Sequence, residues 1–279
     1  MRKRLLIIFG ALLSLLLIVF GIFSLQRIQQ PPIPATPTAL PGTPSPVSCN
    51  SQNAAYQIEG RHILDSKGHI VIPYGVQLDG ILLAQTNWRT DGALTHLTYD
   101  QLVAARDFWH SNTVSLQLGS KSLFDQPPFD STYLATIDRV VNWVNQLKMH
   151  IILVLQYQGF GNSYQALPTE DTIHFWNVLS RHFACNSAVF FDIFNEPVPT
   201  RLLGGGDTDA VWTLWENGGN INGIMYVGFQ HIVDTIRGNG AHNLIFADGL
   251  AAGEDIHLLP HHTLRGLNIV YAVHPYFNA

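Results

Sequence analysis

Six apolar runs, rich in β-branched residues, recur along the chain from residue 70 onward, and helical patterns lie between most of them. The runs are Ile70–Val76, Thr113–Leu118, His150–Leu155, Val189–Phe194, Asn243–Ala247 and Asn268–Val273. Most are too continuous for a one-sided antiparallel sheet, so they predict parallel strands that are covered on both faces. Strands that alternate with helices indicate repeated βαβ units, which build either a doubly wound sheet or a (β/α)8 barrel.

The segments between the strands carry helix signals. Thr98 and Gln101 have the spacing of a capping box, which predicts a helix start. No Gly-x-Gly-x-x-Gly follows the first strand, which argues against the nucleotide-binding open sheet. Capping and helical spacing of apolar residues predict helices at about 98–109, 137–147, 171–183 and 229–236.

The N-terminal segment 1–25 has the pattern of a membrane anchor. Residues 5–25 carry no charge, and about twenty apolar residues suffice to cross a hydrocarbon core of ~30 Å. Arg2, Lys3 and Arg4 precede them, so the positive-inside rule places the rest of the chain outside the cell. We expect a retained single-pass anchor in the cell membrane. The alternative is a cleaved secretory signal, which would leave the protein secreted.

Residues 26–48 differ from both neighbouring segments, because prolines alternate there with Thr, Ala and Ser. Such a segment does not form a core and favours extended polyproline geometry. It predicts a linker that separates the anchor from a globular domain at 49–279. The prolines are Pro31, Pro32, Pro34, Pro37, Pro41, Pro44 and Pro46.

Charge and cysteine content restrict the partners of the globular domain. It holds 11 basic and 20 acidic residues, which argues against binding to nucleic acid or anionic lipid. Cys49 and Cys185 are the two cysteines, and they form either one disulfide or two separate thiols. The histidines near residue 260 lack accompanying ligand spacing, so we expect surface loop histidines and neither a metal nor a cofactor. These are His257, His261 and His262.

Polar residues gather where the predicted strands end, which is where functional residues lie in a (β/α) barrel. Glu196 stands out, because it follows an apolar strand and precedes Pro197. An apolar cleft would raise the pKa of its carboxyl group, as a general acid requires. A helix N-cap or a loop carboxylate is the open alternative. The other strand-end groups are Gln77, Asp79, Gln117, Gln156, Gln158, Asn195, Asp248, His274 and Tyr276.

Several segments resemble glycoside hydrolase family 5, the cellulase-like family. FDIFNEP, from Phe191 to Pro197, is similar to that family's fourth-strand signature. GRHILDSKGHIVIPYGVQLDG, from Gly60 to Gly80, resembles its entry into strand one. The segment 218–249 is similar to its fourth helix and fifth strand, and NIVYAVHPY, from Asn268 to Tyr276, resembles its sixth strand with a His-x-Tyr pair. The resemblance covers nearly all of 56–279.

This resemblance implies a retaining glycosidase on a (β/α)8 barrel that works without a cofactor. It assigns Glu196 as the acid/base and Asn195 as the residue that holds a sugar 2-hydroxyl. It places His274 and Tyr276 along the site near the nucleophile. Alone, His274 would be interpreted as a core histidine, but Tyr276 two residues on faces the same side of the strand, which favours a place in the site. Gln156 is a further candidate for substrate binding.

The chain departs from the family pattern at three places. Ser115 stands where the family has an Arg in strand two, and Gln156 where the third strand commonly ends in His. The family nucleophile is a Glu at the end of strand seven, and we expect none in this chain, which stops after strand six. Asp79, Asp248 and Glu254 have no family precedent as replacements. We therefore expect either a fragment of a longer reading frame or a degenerate, inactive homologue.

Tryptophans near the strand ends offer two interpretations. Trp212 and Trp215, in the long connection after strand four, either stack on sugars or pack the loop, and Trp88 allows the same choice. We expect Trp212 and Trp215 to bind substrate. Taken together, we expect a monomeric, membrane-tethered glycoside hydrolase outside the cell that acts on a β-glucan or mannan type of polysaccharide or oligosaccharide. The alternative is an inactive carbohydrate-binding surface protein on a decayed glycosidase scaffold.

Overall fold

The computed structural model describes residues 46–49, 55–78, 97–124, 128–157 and 165–276. The strands are β1 Tyr56–Glu59, β2 His62–Asp65, β3 Ile70–Val71, β4 Gly75–Leu78, β5 Thr113–Gly119, β6 His150–Tyr157, β7 Val189–Asp192, β8 Gly218–Ile221, β9 Ile224–Val227, β10 Ile245–Asp248 and β11 Ile269–Ala272. The helices are α1 Tyr99–Asp107, α2 Ser120–Leu123, α3 Ser131–Gln146, α4 Glu170–Phe183, α5 Thr200–Leu203, α6 Asp209–Asn217 and α7 Phe229–Gly238, with a 3-10 turn at Leu259–His261.

Some predictions fall outside these ranges. The anchor at residues 5–25 and most of the linker at 26–48 are among them, as are Asp79, Trp88 and Gln158. Within the described ranges, no helix has the length and apolar character that crossing a membrane requires.

A six-stranded sheet with the order β11-β10-β7-β6-β5-β4 forms the centre of the fold. Every neighbouring pair in it is parallel. Each of its strands lies beside the next one of the sheet in sequence, and the order never reverses. A doubly wound sheet requires such a reversal, so the consecutive order is typical of a barrel wall.

The first predicted strand is wrong in its extent. The structure divides Ile70–Val76 into β3, which belongs to a three-stranded antiparallel sheet with β1 and β2, and β4, which enters the main sheet. Pro73 lies between them and lacks the N–H that a continuous ladder needs. Ile72 and Tyr74 on either side are exposed, so this short connection is not part of the core.

The middle strands of the main sheet are buried on both faces, as their continuous apolar sequences predict. All four residues of β7 are buried, and so are Leu116 and Leu118 of β5 and Ile151 and Leu153 of β6. Burying an aliphatic or aromatic side chain contributes about 1.5–3 kcal/mol, so these strands anchor the core.

The predicted helices are present, with ends that local chemistry explains. Thr98 and Gln101 form the expected capping box on α1, which ends at Asp107, two residues before the predicted end. In α7 the buried side chains include Ile232, Val233 and Ile236, and Gly240 beyond its end has a φ of 85°. A left-handed glycine after the last turn is a common helix stop.

Cys49 and Cys185 form a disulfide, with their Cα atoms 5.3 Å apart. Of the two alternatives open from the sequence, one disulfide is therefore the correct one. The bond ties the start of the domain to the connection between α4 and β7. Val47 continues the attachment, because its N–H donates to the carbonyl of Asn239 at 2.9 Å.

Candidate active site

Glu196 lies four residues beyond the end of β7, in a backbone conformation that its neighbours hold in place. Its φ is 54°, in the left-handed region that non-glycine residues rarely adopt. The indole of Trp176 donates to the carbonyl of Ile193 at 2.8 Å, and the N–H of Asn195 donates to the carbonyl of Leu155 at 3.0 Å. These bonds turn the segment after β7 so that residue 196 leaves the sheet.

The carboxylate of Glu196 contacts both members of the predicted His-x-Tyr pair. His274 Nδ1 lies 3.1 Å from Oε1, and the hydroxyl of Tyr276 donates to the same oxygen. Glu196 and His274 are largely covered, with about a fifth and a quarter of their side chains exposed, at 21% and 24% respectively. The structure thus brings together three residues that the sequence places 78 and 80 positions apart.

Asp248, the last residue of β10, joins this group from the neighbouring strand. Its Oδ2 accepts the backbone N–H of Glu196 at 2.9 Å and lies 3.3 Å from His274 Nε2. The side chain is completely buried, with 0% exposed. The indole of Trp215 donates to the backbone carbonyl of Asp248 at 3.0 Å, which holds the end of β10 in place.

A second buried carboxyl group, Asp192, ends β7 beside this cluster. It is paired in register with Val154 of β6 and Phe246 of β10, so it lies in the middle of the sheet. Among the described atoms its Oδ1 has no hydrogen-bond partner. Asp192 interacts electrostatically with Asp248 and Glu196, so three carboxyl groups cluster here, and two of them, Glu196 and Asp248, contact the imidazole of His274.

Burial and mutual charge determine the protonation of these groups. Burial raises the pKa of Asp248 to about 6, partly opposed by the nearby His274. Burial, reinforced by the charge of Asp248, raises the pKa of Asp192 well above its usual range. The hydrogen bond to Glu196 raises the pKa of His274 and brings the pKa of Tyr276 to about 12. The site therefore tends to retain protons that isolated carboxyl and imidazole groups would release.

The loop after β10 links the two sides of the site. The N–H of Ala252 donates to the carbonyl of Pro197 at 3.2 Å, and the N–H of His274 donates to the carbonyl of Gly253 at 2.9 Å. Leu250 and Asp255 close the loop by bonding to each other's backbone. This loop, residues 249–255, is therefore hydrogen-bonded both to the residue after Glu196 and to His274.

Two further predicted residues lie at the strand ends nearby. Asn195 is 7% exposed and precedes Glu196, while Gln156 is partly buried in the last part of β6. Ser115, which departs from the family pattern, lies within β5 and pairs with Gln77 on one side and Ile152 on the other. The roles of Asn195 and Gln156 in sugar binding stay predictions.

The substrate-binding role predicted for Trp212 and Trp215 is wrong. Both side chains are completely buried, and they pack against each other with ring centroids 5.2 Å apart. Phe229 covers one face of Trp215 and His262 stacks on Trp212, at centroid distances of 4.6 Å and 6.1 Å. Two apolar rings on a helix face bury more surface by packing than by meeting a sugar in water, so the loop-packing interpretation is correct.

The histidine prediction needs one correction as well. His257 is exposed beside Asp255, but His262 is buried and lies between Asp209 and Glu216, 3.0 Å and 3.1 Å from their carboxylate oxygens. It is therefore a packing and hydrogen-bonding residue rather than a surface one. Within the described part of the chain, no group of three or more His, Cys, Asp or Glu side chains has the arrangement of a metal site.

Sequence reasoning noted Asp248 without giving it a role and did not single out Asp192. For Asp248 the available signal was its position at a strand end. For Asp192 the signal was a lone carboxylate inside the apolar run VFFDIF. Neither signal reveals that both carboxyl groups converge on Glu196, because that depends on the pairing of β7 with β10.

Comparison with known proteins gives a family match. Residues 65–278 match the family model described as cellulase, glycosyl hydrolase family 5. No curated protein matches the chain significantly.

Three solved structures share the fold. A β-glucanase from Saccharophagus degradans in complex with cellotetraose is 20% identical with a TM-score of 0.62, and the match covers 84% of this chain and 67% of that one. An endocellulase from the archaeon Pyrococcus horikoshii is 16% identical with a TM-score of 0.56, and the match covers 82% of this chain and 71% of that one. The catalytic domain of a Thermobifida fusca endoglucanase is 15% identical with a TM-score of 0.55, and the match covers 78% of this chain and 64% of that one.

The matched region is about two thirds of the length of these structures, and at such identities they bear on the fold alone. They support the predicted (β/α)8-barrel type over the doubly wound sheet. The family model covers well over half of the chain and includes Glu196, His274 and Tyr276. The chain belongs to glycosyl hydrolase family 5, the cellulase family.

Proposed function

We propose that this chain carries the acid/base side of a retaining glycoside hydrolase that cleaves β-linked glucan outside the cell, with Glu196 as the acid/base residue. The observation that carries the proposal is the convergence of His274 and Tyr276 on Oε1 of Glu196. A carboxyl group held by two side chains keeps one orientation toward a substrate, which general acid catalysis requires. Family membership supports the same assignment.

In the proposed reaction Glu196 first acts as an acid. It gives a proton to the glycosidic oxygen while the bond between that oxygen and the anomeric carbon breaks and a carboxylate nucleophile forms a bond to that carbon. Glu196, now ionised, then removes a proton from the water that attacks the anomeric carbon, which breaks the bond to the nucleophile and releases the sugar. Asn195, directly before it, is proposed to hold the sugar 2-hydroxyl.

Retention of configuration requires a second carboxylate about 5–5.5 Å from the first. Asp248 is unsuited to this role, because it is completely buried and engaged with the N–H of Glu196 and with His274. Asp192 is unsuited as well, since it is buried in the middle of the sheet. The nucleophile is therefore proposed to be the strand-seven glutamate of the family pattern.

A β-glucan is the favoured substrate class for two reasons. The matching family is that of the cellulases, and two structures of similar fold are complexes with cellotetraose. The proposed location outside the cell is supported by the apolar segment 5–25, by the proline-rich linker and by the disulfide, which is typical of exported proteins. A mannan is the alternative substrate to include in an assay.

The acid/base role of Glu196 has a specific chemical test. We expect Glu196→Gln to reduce hydrolysis of β-glucan by about 100-fold or more, the size typical of a lost general acid. The protein for this assay is extended through the strand-seven glutamate. An aryl cellobioside with a good leaving group should lose much less in the first step, because that group departs without protonation. Added azide should then yield a glycosyl azide of retained configuration.

Equal losses with good and poor leaving groups would contradict the acid role. An inverted azide product would contradict retention. Glu254→Gln is the matched control, because it makes the same chemical change at an exposed carboxylate on the loop after β10.

The second candidate function is carbohydrate binding without turnover. Ser115 and Gln156 favour it, since both replace residues of the family pattern that orient the carboxylates. Calorimetry with cellotetraose distinguishes the two proposals. Binding by an extended chain that leaves β-glucan, mannan and aryl glycosides uncut would favour the binding function and contradict the enzyme.

A further inference from the structure

One imidazole bridges the proposed acid/base residue and a fully buried carboxylate. His274 places Nδ1 3.1 Å from Oε1 of Glu196 and Nε2 3.3 Å from Oδ2 of Asp248. The same Oδ2 accepts the backbone N–H of Glu196 at 2.9 Å. Asp248 therefore touches Glu196 twice, once directly through the main chain and once through the ring of His274.

We propose that Asp248 is a positioning residue for Glu196: its Oδ2 keeps a proton on Nε2 of His274, directs Nδ1 toward Glu196 and holds the backbone of Glu196 in its left-handed conformation. This inference deepens the proposed function and rests on it for the acid/base role of Glu196. Asp248 itself is not in contact with the reacting atoms. It acts through the ring and the main chain of its neighbours.

The chemistry of imidazole makes this assignment specific. A neutral ring carries one proton, and both of its nitrogens face a carboxyl oxygen here. Such a ring donates to the carboxyl group that is ionised and accepts from the one that is protonated. Glu196 holds a proton in its acid form, so Nδ1 accepts from Oε1 of Glu196 and Nε2 donates to the ionised Asp248. Because Tyr276 also donates to Oε1, the proton between Nδ1 and Oε1 is held in one place rather than distributed over the carboxyl group.

The burial of Asp248 argues that it does more than pack. A carboxyl group that is completely buried is costly to ionise, and its Oδ1 has no hydrogen-bond partner among the described atoms. A neutral side chain of similar size would fill the same space at lower cost. The charge is therefore best explained by what it faces, which is the N–H of Glu196 and Nε2 of His274.

Several other charged groups surround His274 and have to be separated from Asp248 in a test. Glu196 contacts Nδ1 of His274, and Tyr276 contacts the same oxygen of Glu196. Asp192 interacts with the charge of Asp248, which raises the pKa of Asp192. Glu254, on the loop after β10, adds a negative charge near Tyr276. Glu254→Gln removes one charge from this environment without removing a contact to His274, so it is the matched control.

Nitrogen NMR of the whole chain, labelled with ¹⁵N at histidine, tests the proposal. The signal of His274 is identified by its absence in His274→Gln. At a pH above the pKa of the ring, the wild-type protein is expected to carry its proton on Nε2. In Asp248→Asn the pKa of His274 should fall and the preference for Nε2 should weaken, while Glu254→Gln should leave the tautomer unchanged.

The opposite results overturn the proposal. If the neutral His274 ring of the wild-type protein carried its proton on Nδ1, that result would by itself overturn the proposal, even if the Asp248→Asn variant did not fold. An unchanged titration and tautomer in a folded Asp248→Asn variant would leave Asp248 with a packing role only. Neither readout depends on turnover, so failure of the hydrolysis assay, which would contradict the proposed function, is distinguishable from failure of this inference.

Discussion

Glu196 combines a reactive position with an unfavourable backbone conformation. Its φ of 54° costs a non-glycine residue on the order of 1–3 kcal/mol, and such residues persist only where their surroundings hold them. Here the N–H donates to Asp248, and the next carbonyl, that of Pro197, accepts from Ala252. The strain is therefore localised at the residue that we propose as the acid/base.

Asp192 permits a prediction about pH at the same scale. Its pKa is raised by burial and by the charge of Asp248, so the folded state binds this proton more tightly than the unfolded chain does. Its contribution to stability is present below pH ~4 and is lost as the pH rises through the folded pKa. We expect Asp192→Asn to be more stable than wild type at pH 8 and nearly equal at pH 4.

Urea denaturation at the two pH values measures this difference. Asp100→Asn is the control, because it makes the same change at an exposed carboxylate in the first turn of α1. It removes a favourable charge from a helix start, so a small loss is expected at pH 8. A variant at Asp192 that loses stability at pH 8 would show that its ionised form is favourable in the fold, contrary to this argument.

At the residue scale, sequence reasoning succeeded where a motif lies within a few neighbouring positions. Asn195, Glu196 and Pro197 are adjacent, and His274 and Tyr276 are two apart, so their types and spacing were visible. Asp248 was visible only as a strand-end residue without a role and Asp192 was not singled out, because their importance arises from strand pairing and burial. Trp212 and Trp215 were assigned to the wrong role for the same reason, since burial decides whether an indole meets sugar or protein.

At the scale of elements, the loop 249–255 determines how β7, β10 and β11 cooperate. It bonds to Pro197 beyond β7 and to His274 beyond β11. Ala251, Ala252 and Gly253 all have positive φ, at 52°, 59° and 84°. Three successive left-handed residues are unusual, and only the glycine adopts the conformation without steric cost. The loop is thus a strained connection that is hydrogen-bonded to residues of the proposed site.

Gly253 is expected to be essential to that connection. A Cβ there would lie 2.9 Å from Cγ of His274, closer than real contacts allow, and the φ of 84° would be strained as well. We expect Gly253→Ala to lose about 1–2 kcal/mol of stability from the backbone conformation and, in addition, to displace the His274 ring. The displacement should appear as a changed titration of His274 and as reduced hydrolysis.

Gly223 is a matched control for this prediction. It has the same φ of 84° in the turn between β8 and β9, and a Cβ there would meet nothing within 4 Å. Gly223→Ala should therefore show the loss of stability alone, with the titration of His274 unaltered. Equal effects of the two substitutions on His274 would contradict the proposed contact between Gly253 and the ring.

Secondary structure was predictable wherever periodicity and end signals agreed. The helices α1, α3, α4 and α7 follow from capping and apolar spacing, because both act locally. The division of Ile70–Val76 into β3 and β4 was not predicted, although Pro73 was visible. Apolar composition outweighed one proline in that interpretation, whereas in the structure β3 pairs with β2 and the chain turns before β4.

At the scale of the whole molecule, the alternation of strands and helices narrowed the fold to two architectures without deciding between them. The decision rests on strand order, which depends on contacts between residues far apart in sequence. The family resemblance favoured the barrel type because NEP and the His-x-Tyr pair occur at particular strands. The proposed site follows from that order, since Asp248 reaches Glu196 only because β10 lies next to β7.

The disulfide offers a prediction for the molecule as a unit. Cys49 and Cys185 are 136 residues apart, so breaking their bond releases a long loop in the unfolded chain and frees the attachment of Val47 to Asn239. We expect the Cys49→Ser/Cys185→Ser variant to lose about 2–5 kcal/mol of unfolding free energy, measured by urea denaturation. Dithiothreitol should lower the stability of the wild-type protein by a similar amount and leave that of the double variant unchanged.

Because the bond lies outside the site, the His274 titration of the folded double variant should match wild type. Wild-type stability that is insensitive to dithiothreitol, with reduction of the bond verified by mass, would show that the bond adds nothing to the fold.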